Sequence, residues 1–197
     1  MPETEITAAA QADSDSAEPV STEFESIEPL PIVTYPDTFL RTKTKPVGAI
    51  DDDVHEMVER MIATMVGANG IGLAATQVGW DARVCIVSDN GQPEDCIVLI
   101  NPEVEDVWGS EAMEEGCLSF PGIQAVITRA QGVRLKFTGL DGERYTLEDD
   151  DLLGRCCLHE IDHLNGVTFL SKMTPADKLA NRSKLKRLEE RARAETA

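Results

Sequence analysis

Three histidines occur among 197 residues, and two of them, His159 and His163, stand four apart around Glu160 in the run His159-Glu160-Ile161-Asp162-His163. Residues four apart on a helix lie one turn above each other on the same face. The pattern therefore asks for a helix here, and for a second element that faces it. Two imidazoles so placed can reach one ion of Zn, Fe, Co or Ni, and the carboxylate beside the first can shuttle the proton of a water held there. Chance placement of two histidines on a helix is the plain alternative. His55 has no such company and reads as a histidine of the surface or core edge.

A catalytic site of this kind takes three protein ligands and keeps one position open, so a third ligand must come from elsewhere in the chain. The longer pattern HExxHxxGxxH holds as far as Gly166 and fails at Phe169, and no histidine follows His163. Glu189 and Glu190 lie downstream, but in a polar, basic stretch expected at the surface. Upstream, Cys117 stands in the loop-like run Glu115-Gly116-Cys117-Leu118-Ser119. A thiolate there would complete a tetrahedral His2Cys set with water in the fourth place.

The rest of the chain is read from periodicity and turn chemistry. Ile32–Tyr35 is a short strand-like run stopped by Pro36. Asp51, Asp52 and Asp53 offer N-caps, with Glu56 as capping-box partner to Asp53, and Val54, Met57, Val58, Met61 and Met65 follow at helical spacing. That predicts a helix over 51–66, its methionines in the core. Gly70–Gln77 reads as a glycine-bearing loop. It lacks both GxGxxG and Gly-Lys-Ser/Thr, so a phosphate cradle is unsupported. Strands are expected at 83–87, 97–100, 124–128, 133–138 and 144–147, with Asp141-Gly142 as a hairpin turn. A helix over 148–164 should end at Asn165-Gly166, and a third should begin near Pro175 and carry Leu179, Leu185 and Leu188 among basic residues. Helices flanking a largely antiparallel middle give an α+β class, without the alternation of a doubly wound sheet.

Charge and cysteine usage narrow the setting. Acids outnumber bases 36 to 18, and eight of the acids fall in the first 30 residues, before the first base, Arg41. Residues 1–28, rich in Ala, Ser, Thr, Glu and Asp, are expected to form a disordered acidic extension. The acidic body disfavours broad attraction to nucleic acid or anionic lipid, and specific DNA binding is not expected. Five cysteines, two of them adjacent, with no leader-like or membrane-spanning run, suggest a reduced, cytoplasmic chain with free thiols.

Gly70–Gln77 (GIGLAATQ), Glu115–Ser119 (EGCLS) and His159–His163 (HEIDH, continuing Leu164-Asn165-Gly166) resemble the three signature segments of the peptide deformylase family, in its order and at its usual separations. The likeness runs from about Pro31 to Lys172. It implies a peptide-deformylase-like α+β fold, antiparallel sheets around a central HExxH-bearing helix with a C-terminal helix. The corresponding domains are an extension over 1–28, a catalytic domain over 29–174, and a basic helix and tail over 175–197. It implies metal-dependent removal of the formyl group from the N-terminal formyl-methionine of nascent proteins. Cys117, His159 and His163 would hold one divalent ion, Fe(II) in the cell and replaceable by Zn, Ni or Co. Glu160 would act as base and then acid, and Gln77 and the Leu118 N–H would donate to the oxyanion. Gly72 would let the peptide backbone approach, and Ile71, Leu152 and Cys156 would line the methionine pocket. An acetyl group, larger by a methyl, should find little room.

Three positions depart from the family pattern. Leu158 stands where glutamine is common, Arg155 where an apolar residue is common on the pocket rim, and Thr76 where proline is frequent. Leu158 bears on support of the ligands, and Arg155 on the residue preferred after methionine. Two other functions compete: a metallopeptidase using HExxH, disfavoured by the lack of a downstream ligand, and a non-catalytic metal or redox sensor, disfavoured by Glu160 and Gln77, which mere metal binding does not need. The basic C-terminal helix reads as a solvated face, with docking to the ribosome as the rival.

Overall fold

The computed structural model describes residues 4–7 and 27–195, with backbone alone for residues 4–7. Its elements in chain order are β1 (Thr4–Thr7), α1 (Asp52–Gly67), β2 (Gly72–Ala74), β3 (Val84–Val87), β4 (Ile97–Trp108), β5 (Glu111–Gly116), β6 (Gln124–Arg129), β7 (Gly132–Thr138), β8 (Arg144–Asp149), α2 (Leu152–Leu164), α3 (Phe169–Lys172), α4 (Pro175–Ala180) and α5 (Arg182–Glu195). One sheet runs β1-β8-β7-β4-β3-β2, and β5 and β6 pair as a separate hairpin. Every pairing is antiparallel except β1 with β8. This is the expected α+β architecture.

The sheet is buried on both sides where it matters, because β3 alternates. Cys85 and Val87 point into a cluster with Leu153, Cys156, Cys157, Ile161 and Leu164 of α2, while Val84 and Ile86 join Val54, Val58, Met61 and Met65 of α1. Successive side chains of a strand take opposite faces, so four residues suffice to anchor both helices. A third cluster joins Phe120, Ile123, Ala125 and Ile127 of the hairpin region to Phe169, Met173 and Leu188.

Element boundaries differ from expectation for local reasons. Asp51, not Asp53, caps α1 by accepting from the Val54 N–H at 3.1 Å. The second helix starts at Leu152, since Glu148 and Asp149 are still paired with β7 and Asp151 is the cap. β4 continues to Trp108: Asn101 adopts a positive φ of 52°, and a register shift between Ile100 and Glu103 carries the ladder past Pro102. The third helix breaks at Asn181, whose buried side chain donates to Gln124 O at 3.0 Å and to Asp177 O. Ile32–Tyr35 is not a strand. It is irregular chain that turns at Tyr35-Pro36, donating from Val33 N to Gln77 O and from Tyr35 N to Ser119 O. Gly72–Ala74 is a strand followed by a 3-10 turn over Ala75–Val78, not a loop. The strands β1 and β5 carry no alternating apolar signal and were not expected; of the proposed disordered extension, residues 1–3 and 8–26 lie outside the described residues.

Candidate active site

The HEIDH run lies in the second half of α2, with its histidines on the face turned toward the hairpin. Their ring centroids are 5.2 Å apart. Cys117 immediately follows β5, and its Sγ stands 3.2 Å from His163 Nε2. Ligand atoms of Cys117, His159 and His163 all fall within 4.8 Å of one another. An ion about 2.3 Å from sulfur and about 2.1 Å from nitrogen would hold such atoms about 3.6 Å apart. The donor set fits one divalent ion. Of the two rival third ligands, Glu189 accepts from Tyr35 OH at 2.7 Å and Glu190 faces Lys186 at 3.5 Å.

Glu160 is 4% exposed, and its Oε2 has no hydrogen-bond partner among the described residues. Burial pushes its carboxyl up to about 7. A buried carboxylate oxygen is costly unless something meets it, and a water beside an ion is what this atom suits. The position depends on Gly72: a Cβ there would lie 2.5 Å from Cys156 Sγ and 2.6 Å from Glu160 Oε1. The missing side chain makes room for the Glu160 carboxylate, a use that the expectation of backbone approach did not include.

Gln77 is 1% exposed and its orientation is fixed. Its Oε1 accepts from the Ala74 N–H at 2.8 Å, so its Nε2 must face the site, 3.3 Å from Ser119 Oγ and 3.6 Å from Cys117 Sγ. An amide donor aimed beside the Cys117 sulfur is placed to meet negative charge that develops there.

Behind the ligands lies an ionic cluster that sequence reasoning missed. Glu115 Oε2 is 2.9 Å from His159 Nδ1, which places a proton on Nδ1 and makes Nε2 the nitrogen that would ligate a metal. Arg129 donates to both Glu115 oxygens, at 2.6 and 3.0 Å, and to Asp162 at 2.6 Å. Burial alone would raise the Glu115 carboxyl, but hydrogen bonds from His159 and Arg129 outweigh it and hold it at about 2. The two histidines diverge. Burial would lower His159, yet contact with Cys117 and Glu115 raises it to about 10, while burial and the charges of His159 and Arg129 push His163 down to about 3. A bound ion would take the place of a proton, since ligation needs the lone pair. The one legible signal for this cluster was a glutamate two residues before the cysteine.

A cleft of about 640 Å³ opens over the site, lined by Ile71, Gly72, Gln77, Cys117, Leu118, Leu152, Arg155, Cys156, His159 and Glu160 among others. Every sequence-predicted site residue is thus brought to one wall or floor, except His163, which lies behind Cys117 at 1% exposure. The polypeptide deformylase family model matches residues 29–179.

The chain belongs to the polypeptide deformylase family.

A peptide deformylase from Chromobacterium violaceum is 41% identical over 160 residues, covering 81% of this chain and 96% of that protein. A crystal structure of the Legionella pneumophila peptide deformylase superposes with a TM-score of 0.78 at 35% identity, covering 84% of this chain and 98% of that one. A plant peptide deformylase structure gives 0.82 at 37%, covering 85% and 93%. The departures from the deformylase pattern have separate outcomes. Leu158 is half-buried and packs on the α2 core, so it supports the helix by contact alone, and His163 Nδ1 is buried without a partner among the described residues. Thr76 is fully buried with its hydroxyl unpaired. Arg155 lines the cleft, but its side chain is 5% exposed and its guanidinium is turned into the protein.

Proposed function

We propose that this chain hydrolyses N-formyl-methionyl peptides to formate and a free N-terminal methionine, using Cys117, His159 and His163 to hold one divalent ion. The convergence of those ligand atoms within 4.8 Å, beside a buried carboxylate oxygen with no partner, carries the reading. The ion would supply Lewis acidity, lowering the pKa of a water and polarising the formyl carbonyl. Glu160 takes a proton from the attacking water and returns it to the departing amine, a role suited by a carboxyl poised near neutrality. Gln77 Nε2 and the Leu118 N–H donate to the oxygen that becomes negative. Ile71, Leu152 and Cys156 form a soft, apolar wall for the methionine side chain, with Cys156 Sγ donating to Ile71 O at 3.3 Å. Fe(II) is the ion we assign in the cell, with Zn, Ni or Co able to replace it, because a thiolate and two imidazoles suit this borderline series.

The deciding assay is formate release from formyl-Met-Ala-Ser by protein purified without oxygen. Glu160→Ala should keep its metal and lose turnover by about 10²–10⁴-fold. Full activity in that variant would discard the mechanism.

The setting proposed is cytoplasmic, where nascent formylated chains are met; among the described residues no helix is long and apolar enough to cross a membrane. Ribosome contact is assigned to the outer face of α5, where Arg182, Lys186, Arg187 and Arg191 are exposed. Leu188 of the same helix is buried, so charge reversal tests this better than truncation. Arg187→Glu with Arg191→Glu should abolish a salt-sensitive co-sedimentation with ribosomes; unchanged co-sedimentation would remove the assignment.

A further inference from the structure

The three proposed metal ligands come from two elements with different anchorage, α2 against the sheet and the hairpin β5–β6 outside it. We propose that Arg155 is a positioning residue that staples the hairpin to α2 and holds Glu115 on His159, not a contact for substrate on the pocket rim. Arg155 is one helical turn before His159, so both side chains leave α2 on the same face. Its guanidinium spans the hairpin. Nη1 donates to Glu111 O of β5 at 3.4 Å, Nη2 donates to Ile127 O of β6, and Nε stands 2.9 Å from Glu115 Oε1, an ion pair without hydrogen-bond alignment. The planar fork of an arginine spreads its donors in fixed directions, which lets it meet two carbonyls and a carboxylate at once. Its charge is spent there, and a side chain 5% exposed has little to offer a peptide in the cleft.

Glu115 is the reason this matters for the reaction. Its Oε1 faces Arg129 Nε at 2.6 Å and Arg155 Nε at 2.9 Å, while Oε2 faces Arg129 Nη2 and His159 Nδ1. Arg129 Nη2 also lies 3.3 Å from His159 Nδ1. Both are donors when the ring proton is on Nδ1, so that approach is tolerable only while Glu115 sits between them. Were Glu115 free to turn away, His159 would lose the acceptor that fixes its ring, with only the guanidinium of Arg129 left beside Nδ1. Arg155 blocks that by gripping the far oxygen. It also fixes β5 from Glu111 to Glu115, two residues short of Cys117. Arg155 and Arg129 thus cross-link the same two elements in opposite directions, one rooted in α2 and one in β6.

The test uses zinc-loaded protein with Arg155→Met and Arg155→Lys, each also in a Glu115→Gln background. Two quantities are read: the rate of zinc loss to a chelator, and kcat with KM for formyl-Met-Ala-Ser. The first needs no deformylase activity, so it stands even if the proposed reaction fails. Arg155→Met should speed zinc loss about 10–100-fold, and lower kcat at least about 10-fold with KM within about twofold. Arg155→Lys, which keeps charge but loses the fork, should fall between. In the Glu115→Gln background, Arg155→Met should change either quantity by less than about threefold, because the residue it acts through is already disabled. Zinc loss at the parental rate in either variant would overturn the proposal. So would a full effect persisting without Glu115, the mark of a purely structural role, or a change confined to KM with altered choice of side chain. If Arg155→Met does not fold, the Arg155→Lys pair carries the same comparison.

Discussion

The helix α2 and the hairpin β5–β6 each supply part of the proposed metal nest, and they reach it by different routes. On α2 the geometry is local. A four-residue spacing puts His159 above His163, and the helix is anchored by the Leu153, Cys157, Ile161 and Leu164 contacts with the sheet. The hairpin has no such anchorage in the main ladder, since among the described residues β5 and β6 pair only with each other. Cys117 is placed by a buried ionic network, Glu115 with Arg129, Arg155 and Asp162, and by the apolar cluster around Phe120 and Phe169. One half of the site is therefore specified by backbone periodicity and the other by long-range charge pairing. They should fail differently.

The largest separation comes from Cys117→Ala. It should take zinc content from about one ion per chain to near none and abolish turnover, as measured by elemental analysis and formate release. Retained metal and activity would mean that the hairpin is not part of the site.

Next in size is Arg129→Met. Removing one partner of a buried charge network typically costs about 3–5 kcal/mol. Here it would leave Glu115 and Asp162 short of their main partner, Arg129 itself being 7% exposed. Urea melts of the metal-free variant should show that loss, with the helical circular dichroism of α2 retained under native conditions. A melt within about 1 kcal/mol of the parent would mean that the apolar cluster, not the ions, holds the hairpin.

Acid sharpens the same contrast. The Glu115 carboxyl is held at about 2, below its ordinary value of 4.5. A depressed carboxyl contributes stability that is complete above the unfolded value and is lost as pH falls toward the folded one. Metal-free protein should therefore weaken as pH falls from about 5 toward 2, and Glu115→Gln should show a shallower decline in urea midpoint over that window. Equal slopes would show that Glu115 contributes nothing to acid sensitivity.

The smallest effect tests the outer support of the hairpin. Asn181→Ala removes the bond to Gln124 O and one bond within the α4 end, and should cost about 1 kcal/mol while leaving turnover near the parental rate. A large loss of turnover would assign the α4–α5 junction a role in holding the cysteine loop.

Legibility followed the range of the interactions. The helices, the Asp141-Gly142 turn and the stop at Asn165-Gly166 were readable because caps, periodicity and positive-φ glycine act within a few residues. β5 was not, because Glu111–Gly116 holds three acids, a glycine and only two apolar residues, and becomes a strand through its partner β6. β4 was legible only over 97–100, because the register shift that carries the ladder past Pro102 depends on its partner β7. The inward contacts of Arg155 were not legible for a related reason. Its position by sequence is the pocket rim, but where a guanidinium points depends on carbonyls 28 and 44 residues away.

By itself the sequence determined the chemistry available: two imidazoles one turn apart, a carboxylate beside them, one well-placed thiol and a family pattern joining them. Those are matters of residue type and short spacing, which covalent geometry fixes. Only the tertiary structure decided how the thiol meets the imidazoles and which oxygen of Glu115 faces which donor. It also decided that Gly72 clears space for Glu160. These depend on elements distant in the chain coming to within a hydrogen bond of each other, and pairwise contact at that range is set by packing of the whole domain.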